Sequence, residues 1–472
     1  MYKNTAPETT GVSITAEEYQ SRRKAFLARL LPDSVALFPS AATKLRNGDD
    51  NTFDFRQSSD VLYLTGLSEP HSVVVLSNIG GKETLTVFVA PRDPAQERWH
   101  GVRLGIEGAK SALQADSAYD IGTLPSRLRS ILKAASHVYV GKYSDEALEK
   151  QIAHAAIKAG HSKYRLRNAT AVLAELRLVK SQGELALMRR SAQIAAHAHQ
   201  AAMLQCRPGM IETDLKSVIE HVFAANGCAG PSYGTIVANG ANGLCLHYPA
   251  GPDTLEHGKL VLIDAGAEFS GYASDITRVF PVSGKFTAAQ RAIYEVVLAG
   301  QLAAIKAIKA GATWTALNRA CDNEITTRLA ALGFKLAPAG KAGEKSKRLK
   351  LDDIYPHGLG HWLGLDVHDV GEKEIRVAGK KQQRKLVPGM VLTIEPGLYL
   401  PTDDERIPAE YRGICVRIED DIVVSEDGAE VLTADIVKSV REIEALMAKG
   451  ASARDDNDPF KSVVPVRVPT RD

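Results

Sequence analysis

The sequence predicts two domains: an α/β unit over residues 1–175, then an α+β unit over residues 176–449 built from two related halves, with a loose tail at 450–472. Three observations carry this. The chain has 472 residues and 44% hydrophobic content, enough for two cores. Strand and helix patterns alternate through the N-terminal unit. In the C-terminal unit a single pattern occurs twice. Gly258-Lys-Leu-Val-Leu-Ile-Asp264-Ala-Gly266 and Gly389-Met-Val-Leu-Thr-Ile-Glu395-Pro-Gly397 each read as a glycine, five residues, an acid, one residue and a glycine.

Taken in order, residues 1–12 are polar and without pattern. Thr15-Ala-Glu-Glu18 is a capping box, which opens a helix to about Leu31. Strands are expected at Ser34–Phe38, Val61–Gly66, Ser72–Ser77, Leu85–Val89 and Val138–Val140. Helices are expected at Gln96–Leu104, Leu124–Ala134 and Asp145–Ala159. The polar run Phe55-Arg-Gln-Ser-Ser-Asp60 and the aromatic Trp99 read as structural on their own. Leu176–Lys180 is the joint, and Ser181-Gln-Gly-Glu184 is a second capping box that starts a helix to about Gln205. His197 and His199 lie two apart on that helix, on different faces, and make poor joint ligands. Helices follow at Thr213–Ala225, Ala288–Ala310 and Thr315–Leu332. The segments Arg207-Pro-Gly209 to Leu215 and Lys309-Ala-Gly311 to Leu317 align at a constant offset, so the repeat includes helices as well as strands.

The chemistry collects in the repeat. Leu260–Ile263 is a buried apolar run that ends at Asp264, and Gly271 falls where the chain reverses towards Asp275. An ionised carboxylate in such a sheet is costly unless something pairs it. A single Asp-Ala-Gly would be read as a turn cap at Asp264 with Asp275 facing water. The second copy argues otherwise, because Glu395 and the acid of Ile414-Cys-Val-Arg-Ile-Glu419 take the matching places. Four acids brought together repel one another, and divalent cations would remove the repulsion. His357, His361 and His368 lie in a glycine-rich stretch between the halves, and His247 ends Gly243-Leu-Cys-Leu-His. A lone histidine there would be a hydrogen-bonded structural residue, whereas imidazoles beside clustered acids suit a transition metal.

Composition excludes several classes. A net charge of +2 argues against nucleic acid as the main partner. The five cysteines are widely spaced, with no metal-finger or redox pairing, as in a cytoplasmic protein with reduced thiols. No run is long enough to span a membrane, and no signal peptide is expected. The Lys- and Arg-rich stretches 335–353 and 372–387 lack interleaved aromatics and read as solvated insertions, with a polyanion patch as the alternative.

Asp264, Asp275, His361, Glu395 and Glu419, in this order and spacing, resemble the five ligands of the pita-bread metallopeptidases. That family holds methionine aminopeptidases, prolidases and Xaa-Pro aminopeptidases. Segments at Pro231-Ser-Tyr-Gly, Asp275-Ile-Thr-Arg-Val-Phe-Pro, His357-Gly-Leu-Gly-His-Trp and Tyr411-Arg-Gly-Ile-Cys-Val-Arg-Ile-Glu look most like bacterial Xaa-Pro aminopeptidases. The likeness reaches the N-terminal domain through Tyr63-Leu-Thr-Gly-Leu-Ser-Glu-Pro and covers about residues 13 to 447. The two basic insertions depart from the pattern. The resemblance implies a creatinase-like N-terminal domain and a pita-bread catalytic domain holding two divalent ions, expected to be manganese because the ligands are oxygen-rich. It implies hydrolysis of the N-terminal Xaa-Pro bond of peptides by a hydroxide held between the ions, with Glu395 moving the proton. Asp264 and the pair His361 and Glu395 would hold one ion each, with Asp275 and Glu419 bridging. His247 and His368 would contact substrate, His357 would line the pocket, and Arg417 would support a carboxylate. A homo-oligomer, dimer or tetramer, is expected, with Trp99 reaching a neighbour. A prolidase is the alternative; it needs a cation for the dipeptide carboxylate, for which Arg376 and Arg384 are candidates. A metal-free peptide-binding module is the third reading, disfavoured by the complete ligand set.

Overall fold

The computed structural model describes residues 12–141, 146–161, 166–337 and 348–453. Most of the stretch 335–353 and the tail beyond Ala453 therefore lie outside the described residues. The chain divides into two compact units, Met1–Arg177 and Leu178–Asp472.

The first unit is a six-stranded mixed sheet in the order Ser117–Asp120, Lys82–Val89, Val73–Ile79, Ser34–Pro39, His137–Val140, Arg167–Asn168. Val73–Ile79 pairs antiparallel with both its neighbours, and the other three pairs are parallel. Ser34–Pro39 is buried throughout, as a central strand covered on both faces must be. Leu124, Leu128 and Leu132, spaced four apart on the helix Leu124–Lys133, bury against Val35, Leu37 and Phe88. Thr15 caps Ala16–Leu27 by accepting from the Glu18 amide.

Two sequence expectations fail here, and one strand was not foreseen. Val61–Gly66 is not a strand: Ser59–Thr65 is a helix, ended by Gly66 in the left-handed region at φ 70°. Its last carbonyls are taken by buried arginines, Arg22 at Tyr63 and Arg23 at Leu64. A short apolar run does not distinguish strand from helix, and this tertiary capping decided it. The helix expected at Gln96–Leu104 runs Pro94–His100 instead, and a separate helix, Gly105–Ala112, begins just beyond the expected range. The short strand Ser117–Asp120 carried no alternation that would announce it.

In the second unit the repeat is explicit. The long helix Gln182–Gln205 packs on Glu212–Ala225, and Ala288–Ala307 packs on Trp314–Ala331. Ser181 and Glu184 form the full reciprocal capping box. In the first half Leu260–Asp264 pairs antiparallel with Thr277–Pro281, and in the second Val391–Ile394 pairs with Asp420–Val424. Between each pair runs a short ribbon, Ala267–Phe269 with Tyr272–Ala273, and Gly397–Tyr399 with Cys415–Arg417. The glycines that open the two copies match in conformation, Gly258 at φ 81° and Gly389 at φ 86°. Only glycine takes that region without strain.

The acids sit at equivalent junctions. Asp264 ends its strand and Asp275 precedes the next; Glu395 follows its strand and Glu419 precedes the next. Asp275 therefore lies between strands rather than on the returning strand. The basic stretch after Gly371 forms an exposed ribbon, Glu374–Val377 with Lys380–Gln383. The helix Val440–Ala453 runs past residue 450, where the tail was expected to begin.

Candidate metal centre

The two halves are fastened where the acids meet. Arg278, fully buried, donates to Asp420 Oδ1 at 2.7 Å and to the carbonyls of Thr277 at 3.0 Å and Glu419 at 2.7 Å. Lys438 also donates to Asp420 at 2.6 Å. Burial pulls the Asp420 carboxyl up, but Arg278 and Lys438 outweigh it and hold it at about 2. A buried acid with two cations is a paired group.

The neighbouring acids are different. Asp275, His361 and Glu419 each present a ligand atom, all within 4.8 Å of one another. His361 Nε2 lies 3.4 Å from Asp275 Oδ2 and 3.6 Å from Glu395 Oε1. His361 Nδ1 donates to the Trp362 carbonyl at 3.0 Å, which leaves the Nε2 lone pair facing the acids. Asp264 joins through Tyr233, whose hydroxyl lies 2.5 Å from Asp264 Oδ1 and 2.5 Å from Asp275 Oδ1. One hydroxyl proton cannot serve two carboxylates, so a further positive charge is called for. Burial, then the Asp264 charge, raises the Asp275 carboxyl well above its usual range. Burial and Asp275 do the same to Glu419. Burial and Glu419 push Glu395 up to about 8. Buried acids whose charges oppose one another, with an imidazole nitrogen turned towards them, fit divalent ions.

Arg417 supports the cluster through a carboxylate, and that carboxylate belongs to the other half. Its Nη2 donates to Asp264 of the other half at 2.6 Å, its Nη1 to the Tyr399 hydroxyl at 2.6 Å and its Nε to Thr277 at 3.1 Å. Thr277 in turn donates to Glu419 at 2.8 Å. Tyr399 donates to His357 Nε2 at 2.9 Å, because His357 Nδ1 donates to the Gly358 carbonyl. Burial keeps His357 neutral, with its pKa down at about 4.

His368 packs against His361 with ring centroids 4.1 Å apart and planes tilted by 57°, and His247, exposed, acts electrostatically on both His357 and His368. Eight of the nine sequence-predicted site residues are thus joined by contacts, and His247 is linked to them electrostatically. Tyr233, Tyr399 and Thr277 were missed. The only available signal was position: Thr277 stands two residues after Asp275 and Tyr399 four after Glu395. Arg376 and Arg384 are engaged within their own insertion, Arg376 with the Gly379 carbonyl and Arg384 with that of Glu372. Trp99 is 80% exposed on Pro94–His100.

A two-half sheet with clustered acids and one inward imidazole defines a metallopeptidase centre, and comparison agrees. Residues 186–426 match metallopeptidase family M24, and residues 19–139 match the aminopeptidase P N-terminal domain. The chain belongs to family M24. It is 41% identical over 448 residues to the Xaa-Pro aminopeptidase of Escherichia coli (strain K12), spanning 92% of this chain and 98% of that one. It is 39% identical over 431 residues to the Xaa-Pro aminopeptidase of Haemophilus influenzae, spanning 91% and 97%. Among solved structures, aminopeptidase P from E. coli with the inhibitor Pro-Leu superposes with a TM-score of 0.86 at 39% identity, covering 93% of this chain and all of that one. No helix among the described residues is long and apolar enough to cross a membrane.

Proposed function

We propose that the protein removes the N-terminal residue from peptides with proline in second place, using two divalent ions held by Asp264, Asp275, His361, Glu395 and Glu419. The observation that carries this is the meeting of buried acids from both halves around the His361 Nε2 lone pair, in a chain so similar to Xaa-Pro aminopeptidases. Asp264, Asp275, His361, Glu395 and Glu419 would together hold the ions, the acids supplying oxygen donors and His361 a nitrogen donor. When bound, the ions supply Lewis acidity and a nucleophile at neutral pH. The oxygen-rich donor set suits manganese.

The remaining steps belong to side chains. Glu395, half-buried beside His361, takes a proton from the nucleophile and returns it to the proline nitrogen as it leaves. Tyr233 and Arg417 hold Asp264 in place. His247 and His368 contact the scissile carbonyl and the departing proline, and His357, held by Tyr399, lines the pocket. A bond to proline has no N–H, so recognition rests on shape and on the carbonyl. The N-terminal domain, residues 1–175, serves self-association and access to the catalytic domain, residues 176–449. The exposed Trp99 is a contact for a second copy in a homo-oligomer. Cysteines that form no disulfide suit the cytoplasm.

Metal-reconstituted hydrolysis of Xaa-Pro-Xaa, Xaa-Pro and Xaa-Ala-Xaa tests the reading. Turnover of the first alone is expected. Turnover restricted to the dipeptide would make the protein a prolidase.

A further inference from the structure

Lys373 stands five residues after His368, at the foot of the exposed ribbon. Unlike the ribbon's other cations, its half-buried side chain folds back. Nζ donates to the Gly360 carbonyl at 2.5 Å and sits 3.9 Å from the Trp314 ring centroid. That ring packs edge-on against Trp362 at 5.2 Å, and Trp362 follows His361. Gly360 lies between His361 and Leu359, whose carbonyl accepts from the Glu395 amide at 2.8 Å. The ammonium is thus anchored on the backbone that carries two of the site's side chains. Its charge is felt at both Glu395 and His368.

Among the described residues Lys373 forms no ion pair. The nearest ribbon acid, Glu374, lies 3.6 Å from Lys381. A carbonyl and an aromatic face orient the ammonium without neutralising it, and two of its three donors remain. Partly withdrawn from water, such a charge is complementary to an anion. His368, on the same loop, faces the departing side of the scissile bond in the reading above. A residue spans at most about 3.5 Å, so the carboxylate of a peptide ending one residue after proline lies about 7 Å beyond that bond.

We propose that Lys373 is a specificity-determining residue whose ammonium receives the free C-terminal carboxylate of short Xaa-Pro-Xaa peptides. This rests on the Xaa-Pro reading of the site. The class of ligand is a carboxylate-terminated tripeptide, or the prolyl dipeptide it releases.

The test compares Xaa-Pro-Xaa with its C-terminal amide on the wild-type enzyme, Lys373→Met and Lys373→Arg. Calorimetric binding of Pro-Leu and Pro-Leu-amide supplies a readout without turnover. The wild type is expected to favour the free acid roughly tenfold, as a charge-assisted contact would. Lys373→Met brings that ratio near one through KM, and Lys373→Arg keeps most of it. An unchanged ratio in Lys373→Met, or equal losses on acid and amide, overturns the proposal and leaves Lys373 a clasp on Gly360. If the wild type cleaves neither peptide, the Xaa-Pro reading fails, and the Pro-Leu pair still decides whether Lys373 binds carboxylate.

Discussion

Replacing Arg278 with Met removes the fastening between the halves while keeping most of the side-chain volume. The buried guanidinium donates to Asp420 at 2.7 Å and to carbonyls of both halves, Thr277 and Glu419. Breaking a buried pair by deleting one partner costs about 3–5 kcal/mol, because the other charge stays behind. Lys438 and Thr433 still serve Asp420, at 2.6 and 2.7 Å, which argues for the lower end, about 3 kcal/mol. The carbonyl of Glu419 also loses its donor, so the carboxylate on that residue loses its register against Asp275. Two readouts follow. Urea unfolding at neutral pH should shift its midpoint without a change in slope. The extra stability conferred by added manganese should shrink, since ligand stabilisation follows affinity for the native state. A loss under about 1 kcal/mol with undiminished stabilisation by metal would refute the reasoning that this arginine aligns the two halves.

Three further outcomes are expected. Glu395→Gln should fold normally yet lose turnover by roughly a hundred- to ten-thousandfold, the span of a general acid–base group; activity within tenfold of wild type would remove Glu395 from that role. Gly360→Ala should cost about 1–3 kcal/mol and weaken metal binding, because the added Cβ would lie 1.9 Å from the Thr393 carbonyl oxygen, a backbone atom that cannot step aside. His199 is buried with its ring nitrogen on the Ala265 carbonyl, and burial lowers its pKa from 6.5 to about 4. The unfolded chain therefore binds the proton first, so this contribution is whole above pH 6.5 and drains away as pH falls towards 4, by about 3 kcal/mol. The stability difference between wild type and His199→Gln should narrow over that window; parallel curves would contradict it.

Much of this was legible in the residues. The doubled glycine-to-acid pattern placed Asp264 and Glu395 at strand ends, because an apolar run terminated by an acid and a glycine has few other uses. The Ser181 box fixed a helix start because its hydrogen bonds are local. What stayed hidden depends on partners far along the chain. Ser59–Thr65 is a helix because arginines some forty positions earlier cap it. Which carboxylate Arg417 supports, Asp264 some 153 positions away, follows only from the fold. Tyr233 gains its meaning only where two acids converge on one hydroxyl. No period in the sequence encodes such contacts. Lys373 reads as one more charge of a solvated stretch until its fold-back onto Gly360 and Trp314 is seen.

The most direct measurement is a crystal structure of the protein grown with manganese, with anomalous scattering used to locate the ions. Two peaks enclosed by Asp264, Asp275, His361, Glu395 and Glu419 are predicted, with Tyr233 and Arg417 still touching Asp264. Side chains turned apart with no peak among them, or manganese bound only elsewhere, would contradict the account.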